Sequence, residues 1–356
     1  MKTRILYIGL ILLVLGACKK DPVPNGLYDD TPYVIEKYYR FPVAEIPTDN
    51  PLTQAKVDLG RKLFYETRLS QSKTMSCGTC HAQANAFTDN GKVLSVNDIG
   101  NNTARNSSSI VNLVWSDKGF FWDGRQPTLE DAVEDAINAE QHVPWEFTLD
   151  EIKADTMYQN AFARAFKNEE ISRQSINMAI ASFMRIIISK DSKFDKFTRG
   201  EASLTELELE GLNNLFLTED GDCFHCHGVY PFMTDNDFHD NGLQANINNV
   251  NEYVDKGLGE MNGVSTDLGK MKAPPLRNLS YTAPYMHDGR FATLDEVIDF
   301  YSEGLHRTPN IDPLMKKIDH GGLQLDAQQK AALKAFLLTL DDPTFIANEE
   351  YSNPFE

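Results

Sequence analysis

Apolar residues along this chain gather in short dense blocks, and the period-two alternation of half-buried strands is scarce. The stretch ISRQSINMAIASFMRIII (171–188) has the apolar density of a core helix. AQQKAALKAFLLTL (327–340) reads the same way, with Asp326 placed to cap its first turn. Thr128-Leu-Glu-Asp131 and Thr293-Leu-Asp-Glu296 read as helix starts, in which a hydroxyl and an acid exchange hydrogen bonds with the backbone. Ser203-Leu-Thr-Glu206 reads as another. The pattern predicts a mainly α fold with long loops between its helices.

One apolar block is of a different kind. Ile5 to Leu15 is almost wholly apolar, follows Lys2 and Arg4, and runs into Leu-Gly-Ala-Cys at 15–18. It is too short to span a bilayer and fits a secretory segment. Small residues directly before Cys18 are those of a bacterial lipoprotein signal, in which that cysteine becomes the lipidated N-terminus. The alternative is an ordinary signal peptide with an incidental cysteine. Residues 1–17 are therefore read as a lipoprotein signal peptide, with Cys18 as a membrane anchor at the periplasm or the outer membrane. Residues 18–50 hold five prolines after Cys18 and little periodicity, and read as a tether followed by an extended arm.

Length and charge narrow the function. At 356 residues the chain is long enough for two domains, and 41% hydrophobic residues with 10% aromatics is a globular composition. The net charge of −18 repels nucleic acid and favours a partner with a basic face.

Besides Cys18, the cysteines are Cys77, Cys80, Cys223 and Cys226. Two intervening residues make a poor structural disulfide. A four-cysteine zinc site would hold its pairs roughly 12–20 residues apart, whereas these pairs lie 143 apart. Each pair is followed by histidine, in SCGTCH (76–81) and DCFHCH (222–227). Cys-x-x-Cys-His is the attachment pattern of haem c, with two thioethers to the porphyrin and the histidine on the iron. Two covalent haems are predicted, with His81 and His227 as proximal ligands. His225, inside the second spacer, cannot face the same iron and reads as a surface residue.

The chain then repeats itself. Each motif precedes an Arg-Asn pair (105–106 and 277–278), an Asp-Gly-Arg and a Thr-Leu-acid, in FWDGRQPTLED (121–131) and MHDGRFATLDE (286–296). The order marks an internal duplication. It predicts two tandem c-type cytochrome domains, 51–195 and 196–345, each wrapping its haem in long loops.

At this point the chain resembles the bacterial di-haem cytochrome c peroxidase family, including its methylamine-dehydrogenase-maturing branch. The resemblance rests on NPLTQAKVDLGRKLFYETRLS, CHAQANAFTD, FFWDGR, ASFMRIIISKDSKFDKF and APPLRNLSYTAPYMHDGRFATLDEVIDFY, together with the two haem motifs. It runs from about Phe41 to about Asp342. It implies that the His81 haem meets peroxide, that the His227 haem takes electrons, and that Trp122 lies between them as a relay, the alternative being a tryptophan of the core. It implies a calcium ion on Asn106, Thr282 and Pro284. Many members place a distal histidine eight residues before the asparagine matched by Asn106; here that position is Asp98 and residues 82–105 hold no histidine. The first haem is therefore expected to be open.

The second haem is expected to be closed. Typical members carry a methionine fourteen residues after the histidine matched by His287; here that count reaches Tyr301, as in the methylamine-dehydrogenase-maturing branch. The same count from Trp122 reaches Ala136, too small to ligate. Met286 or Met271 are the alternatives to Tyr301. The family's distal glutamine position reads Ala132, and its glutamate position reads Glu140 or His142, depending on whether the alignment is gapped. Either could shuttle the peroxide proton, unless AEQHVPWE (139–146) is an exposed turn. The resemblance implies a peroxidase that reduces hydrogen peroxide with electrons from a small cytochrome c or cupredoxin. Oxidation of a protein or organic substrate, and a non-enzymatic electron relay, are the competing readings. A homodimer is among the assemblies it allows.

Overall fold

A computed structural model describes residues 28–89, 91–167, 170–228 and 230–356. The predicted signal peptide and Cys18 lie outside them. The described chain is mostly helical; its named strands, Phe238–His239 and Met271–Lys272, form one short antiparallel pair. Among the described residues, no helix is long and apolar enough to cross a membrane.

Local signals set most helix starts. Thr128 Oγ1 accepts from Asp131 N at 3.1 Å ahead of the helix Leu129–Ala139. Thr293 and Glu296 form a reciprocal cap for Leu294–Glu303, and Asp326 with Gln329 does so for Ala327–Leu338. The core helix spans Arg173–Arg185 behind Ser172. One start moves: Thr205, not Ser203, caps Glu206–Glu210, and Glu208 Oε2 accepts from Thr205 N at 2.7 Å. Leu204, between the two candidate caps, is buried, so the chain enters the helix only after it.

The same helix crossing is built twice. Gly60, on the helix Gln54–Phe64, lies so close to the 173–185 helix that a β-carbon there would sit 1.8 Å from Ala179 O. Gly211 meets the 327–338 helix in the same way, with 2.0 Å to Ala332 O. Phe183 and Phe336 stand at the two crossings. The underlying phrases are GRKLF (60–64) and GLNNLF (211–216), the second longer by one residue. A π-turn over Gly211–Phe216 absorbs that residue.

The repeat's register differs from the one expected. Asn112 and Asn278 both adopt left-handed backbone (φ 59° and 65°) and open matching 3-10 turns, Leu113–Trp115 and Leu279–Tyr281. Each asparagine is tied to the end of its own long helix. Ser189 N donates to Asn112 Oδ1 at 3.0 Å, and Asp342 N donates to Asn278 Oδ1 at 2.8 Å. Asn112, rather than Asn106, is thus the counterpart of Asn278. The Asp-Gly-Arg segments do correspond, with matching bridges Phe120–Gln126 and Tyr285–Phe291.

Two large apolar clusters result. One gathers residues between Leu52 and Ile187 and takes in Phe345 and Tyr351 from the C-terminal tail. The other gathers residues between Phe194 and Leu340. The arm before Leu52 touches both sides: Phe41 packs 5.2 Å from Trp115 and 5.5 Å from Phe232, ring to ring. Trp115 Nε1 donates to Pro42 O at 3.1 Å, and Tyr230 Oη donates to Tyr39 O at 3.0 Å.

Candidate functional site

The first centre is a single helical turn, Cys77–Cys80, with His81 at its end. His81 Nδ1 lies 2.9 Å from Phe87 O, so it carries the proton and leaves Nε2 free to ligate. Burial lowers the His81 pKa and keeps the ring neutral. The second centre, Phe224–His227, repeats the device. His227 Nδ1 lies 3.1 Å from Pro274 O, and burial brings its pKa down to about 4. All four thiols are free and half-buried. Burial pushes Cys77 up to about 11 and Cys223 up to about 12. His225 is partly exposed, with Nδ1 on the Asp222 carboxylate.

A cavity of about 300 Å³ joins Cys226 and His227 to Phe121 and Trp122, just before the Asp-Gly-Arg of the first half. Tyr301, Met286 and Met271 all line it. Tyr301 Oη accepts from Asn241 Nδ2 at 2.9 Å, and burial raises its phenol well above the ordinary range. Met286 Sδ lies 3.9 Å from the same amide. Ala136 holds the matching position on the 129–139 helix.

Trp122 forms part of the cavity wall. Its indole Nε1 donates to Asn106 O at 2.9 Å, and its carbonyl accepts from Lys272 N at 2.8 Å. Its ring centre is 6.4 Å from that of His287, the same repeat position in the other half. The two halves therefore meet through equivalent residues. Asn106 Nδ2 donates to Lys92 O and Val93 O at 3.1 and 3.0 Å, which leaves Oδ1 available. Thr282 and Pro284 line the same cavity, and among the described residues neither carbonyl accepts a hydrogen bond. Three neutral oxygens of this kind suit a hard cation.

The loop expected to lack a ligand is pinned elsewhere. The Asp98 carboxylate accepts from Ser72 N at 2.6 Å and from the Ser72 hydroxyl, while Asp98 N donates to Glu140 O at 2.8 Å. Glu140 ends the 129–139 helix; burial raises its carboxyl pKa, and the nearby Arg125 and His142 oppose that rise. The Arg125 guanidinium is held by Asp135 at 2.7 Å and by the Phe121 ring at 3.7 Å. His142 has left-handed backbone, and its Nδ1 lies 3.4 Å from Glu140 O. Sequence reasoning passed over Gln141 between them. It is 4% exposed and its Nε2 lies 3.5 Å from Cys77 Sγ. A polar residue flanked by two acid–base candidates was the available signal.

A model of the di-haem cytochrome c peroxidase family matches residues 54–203. Methylamine utilization protein MauG of Methylorubrum extorquens is 33% identical over 299 residues, which is 83% of this chain and 80% of that protein. The chain belongs to the di-haem cytochrome c peroxidase family. Cytochrome c peroxidase Ccp of Escherichia coli is 33% identical over 263 residues, 72% of this chain and 55% of that protein. The crystal structure of a MauG-like protein associated with microbial copper homeostasis superimposes with a TM-score of 0.80 at 35% identity, covering 90% of this chain and 99% of that one.

Family membership implies two haem c groups, and the donor sets fit them. Each centre offers two unpaired thiols three residues apart and an imidazole whose protonated nitrogen is already engaged. The cavity beside the second centre is walled largely by apolar groups such as Leu276, Leu294 and Ile298, which suits a porphyrin face.

Proposed function

We infer that the chain is a di-haem c-type peroxidase that reduces hydrogen peroxide to water, using electrons from a small cytochrome c or cupredoxin. The overall change consumes one peroxide, two electrons and two protons and yields two waters. When bound, the two haems supply an iron that accepts the oxidant's oxygen and a second iron that stores an electron.

The chain supplies the rest. Residues 51–195 and 196–345 act as tandem haem domains, Cys77 and Cys80 anchoring the first haem and Cys223 and Cys226 the second. His81 and His227 offer Nε2, their rings fixed by Phe87 O and Pro274 O. Ala136 leaves the first site open where Tyr301 closes the second. That difference at equivalent helix positions is the single observation that carries the reading. Deprotonated by a bound ferric iron, the Tyr301 phenolate would be a hard anionic donor that favours oxidised iron, and Asn241 orients its oxygen. Glu140 takes a proton from the peroxide oxygen and returns it to the leaving oxygen, its raised pKa bringing it closer to neutrality. His142 stands beside it as the alternative. Trp122 bridges the halves, and a calcium ion on Asn106, Thr282 and Pro284 holds the same seam. Export, periplasmic residence and anchoring through Cys18 follow from the N-terminal signal.

Stopped-flow mixing with peroxide and a reduced small cytochrome tests the activity. The expected result is cytochrome oxidation well above the rate of free haem, with a high-spin first haem that binds cyanide. Two low-spin, six-coordinate haems in both oxidation states would instead support the electron relay. The Tyr301 phenol favours one second reading, in which oxidising equivalents from peroxide pass to a protein or organic substrate. A near-infrared methionine-to-iron band would exclude tyrosine ligation and that reading together.

A further inference from the structure

We propose that Gln141 is a positioning residue of the first haem site, locking the Glu140–His142 segment onto the Cys77 sulfur; this rests on the peroxidase reading above. Gln141 is 4% exposed, and its Nε2–H points to Cys77 Sγ at 3.5 Å. Its backbone carbonyl accepts from Gln71 N at 2.9 Å, which fastens it to the strip just before the haem motif. The neighbouring Glu140 carbonyl accepts from Asp98 N at 2.8 Å. The segment is thus clasped from both sides, with the side-chain contact reaching the haem anchor itself.

The direction of that contact survives haem attachment. A thioether sulfur has no hydrogen and can only accept, which is the role Cys77 Sγ already plays. Cys223 in the second centre instead donates its thiol hydrogen to Gly221 O at 3.1 Å, a bond that attachment removes. Ser95, in the same half as Cys77, has a buried hydroxyl with no hydrogen-bond partner.

Gln141 also carries a defect that packing alone does not explain. Its Oε1 is buried with no partner. A methionine would fill the same space with no orphaned carbonyl, so Gln141→Met removes the N–H contact without opening a cavity. Glu140 is where the effect emerges. Burial raises its carboxyl pKa, Arg125 and His142 oppose the rise and Asp135 adds to it. A change in the lie of 140–142 alters all of these at once.

The test compares Gln141→Met and Ser95→Ala with wild type, each as the mature protein with both haems attached. Gln141→Met is expected to carry two haems per chain, to melt no lower than wild type, and to leave the second haem's spectrum unchanged. Its peroxide reaction is expected to slow by about 10- to 100-fold, with the pH profile moved toward that of an unperturbed carboxyl group. Cyanide affinity of the oxidised first haem, measured without peroxide, is expected to lose the same pH dependence. That readout stands even if the wild-type protein fails to turn over peroxide. Ser95→Ala removes a buried, unpartnered hydroxyl of the same half without touching 140–142, so it is expected to leave the pH profile alone. Gln141→Met with wild-type pH profiles, or with only one haem attached, would overturn the positioning role.

Discussion

Arg277 should be the most expensive single side chain to remove from the second half. The Arg277 and Asp195 side chains are both fully buried. The guanidinium donates to both carboxylate oxygens at 2.8 Å and to Pro231 O at 2.7 and 2.8 Å. Burial pushes the Asp195 carboxyl up, but Arg277 and Ser192 outweigh it and hold its pKa below the ordinary value. Arg277→Met fills the space yet strands a buried carboxylate, which costs about 3–5 kcal/mol. In a unit of this size that is a fall of about 6–20 °C in melting temperature. Asp195→Asn strands the guanidinium and should cost a similar amount, although the asparagine can still accept from Ser192 N. The double variant should lose much less than the sum, leaving a coupling of about 3 kcal/mol. Urea unfolding at pH 7, followed at the second haem, measures all three. A depressed carboxyl stabilises above its unfolded pKa and loses that stability as pH falls through the folded value, so the wild-type advantage should vanish well below pH 4. Arg277 lies three residues after Pro274, whose carbonyl orients His227, so the second haem's spectrum should change as well. Single variants that each cost under about 1 kcal/mol and simply add would refute the reasoning.

The other expectations are more local. Gly60→Ala and Gly211→Ala each drive a β-carbon into a backbone carbonyl and should destabilise by about 1–3 kcal/mol or more; melts at the two haems should show the first variant weakening mainly the first centre and the second variant the other. Glu140→Gln should slow the peroxide reaction by about 10²–10⁴. Because the base must be ionised and its pKa is raised, the wild-type rate should climb with pH through that higher value; the variant should lose this limb and a His142→Asn variant should keep it. Exhaustive chelation should lower the melting temperature and slow transfer between the haems, with calcium restoring both, and Asn106→Leu should make the protein indifferent to the chelator.

How far the sequence could be read depended on how far each signal had to reach. The caps at Thr128, Thr293 and Asp326 and both Cys-x-x-Cys-His turns involve partners within four residues, so their spacing is enough to find them. The repeat's register was misread because Arg-Asn is an identical dipeptide doing unrelated work. Arg277 is buried on Asp195, whereas Arg105 pairs with Asp123 and Asp255. The property the two halves share is a left-handed asparagine bonded to a helix end more than sixty residues later, and that names Asn112. The glycine crossings were legible in principle, since GRKLF and GLNNLF differ by the one residue that the π-turn takes up. Phe41 was not: its ring partners Trp115 and Phe232 come from the two halves, and nothing local marks an arm residue as a plug between them. Gln141 lay between. It stood next to both acid–base candidates, but a glutamine in a turn looks solvated until its amide is found on the sulfur of a residue sixty-four positions away. The chemistry of this protein could be read from short phrases, whereas the parts that hold that chemistry in place are pairings between distant positions whose one-sided patterns look ordinary.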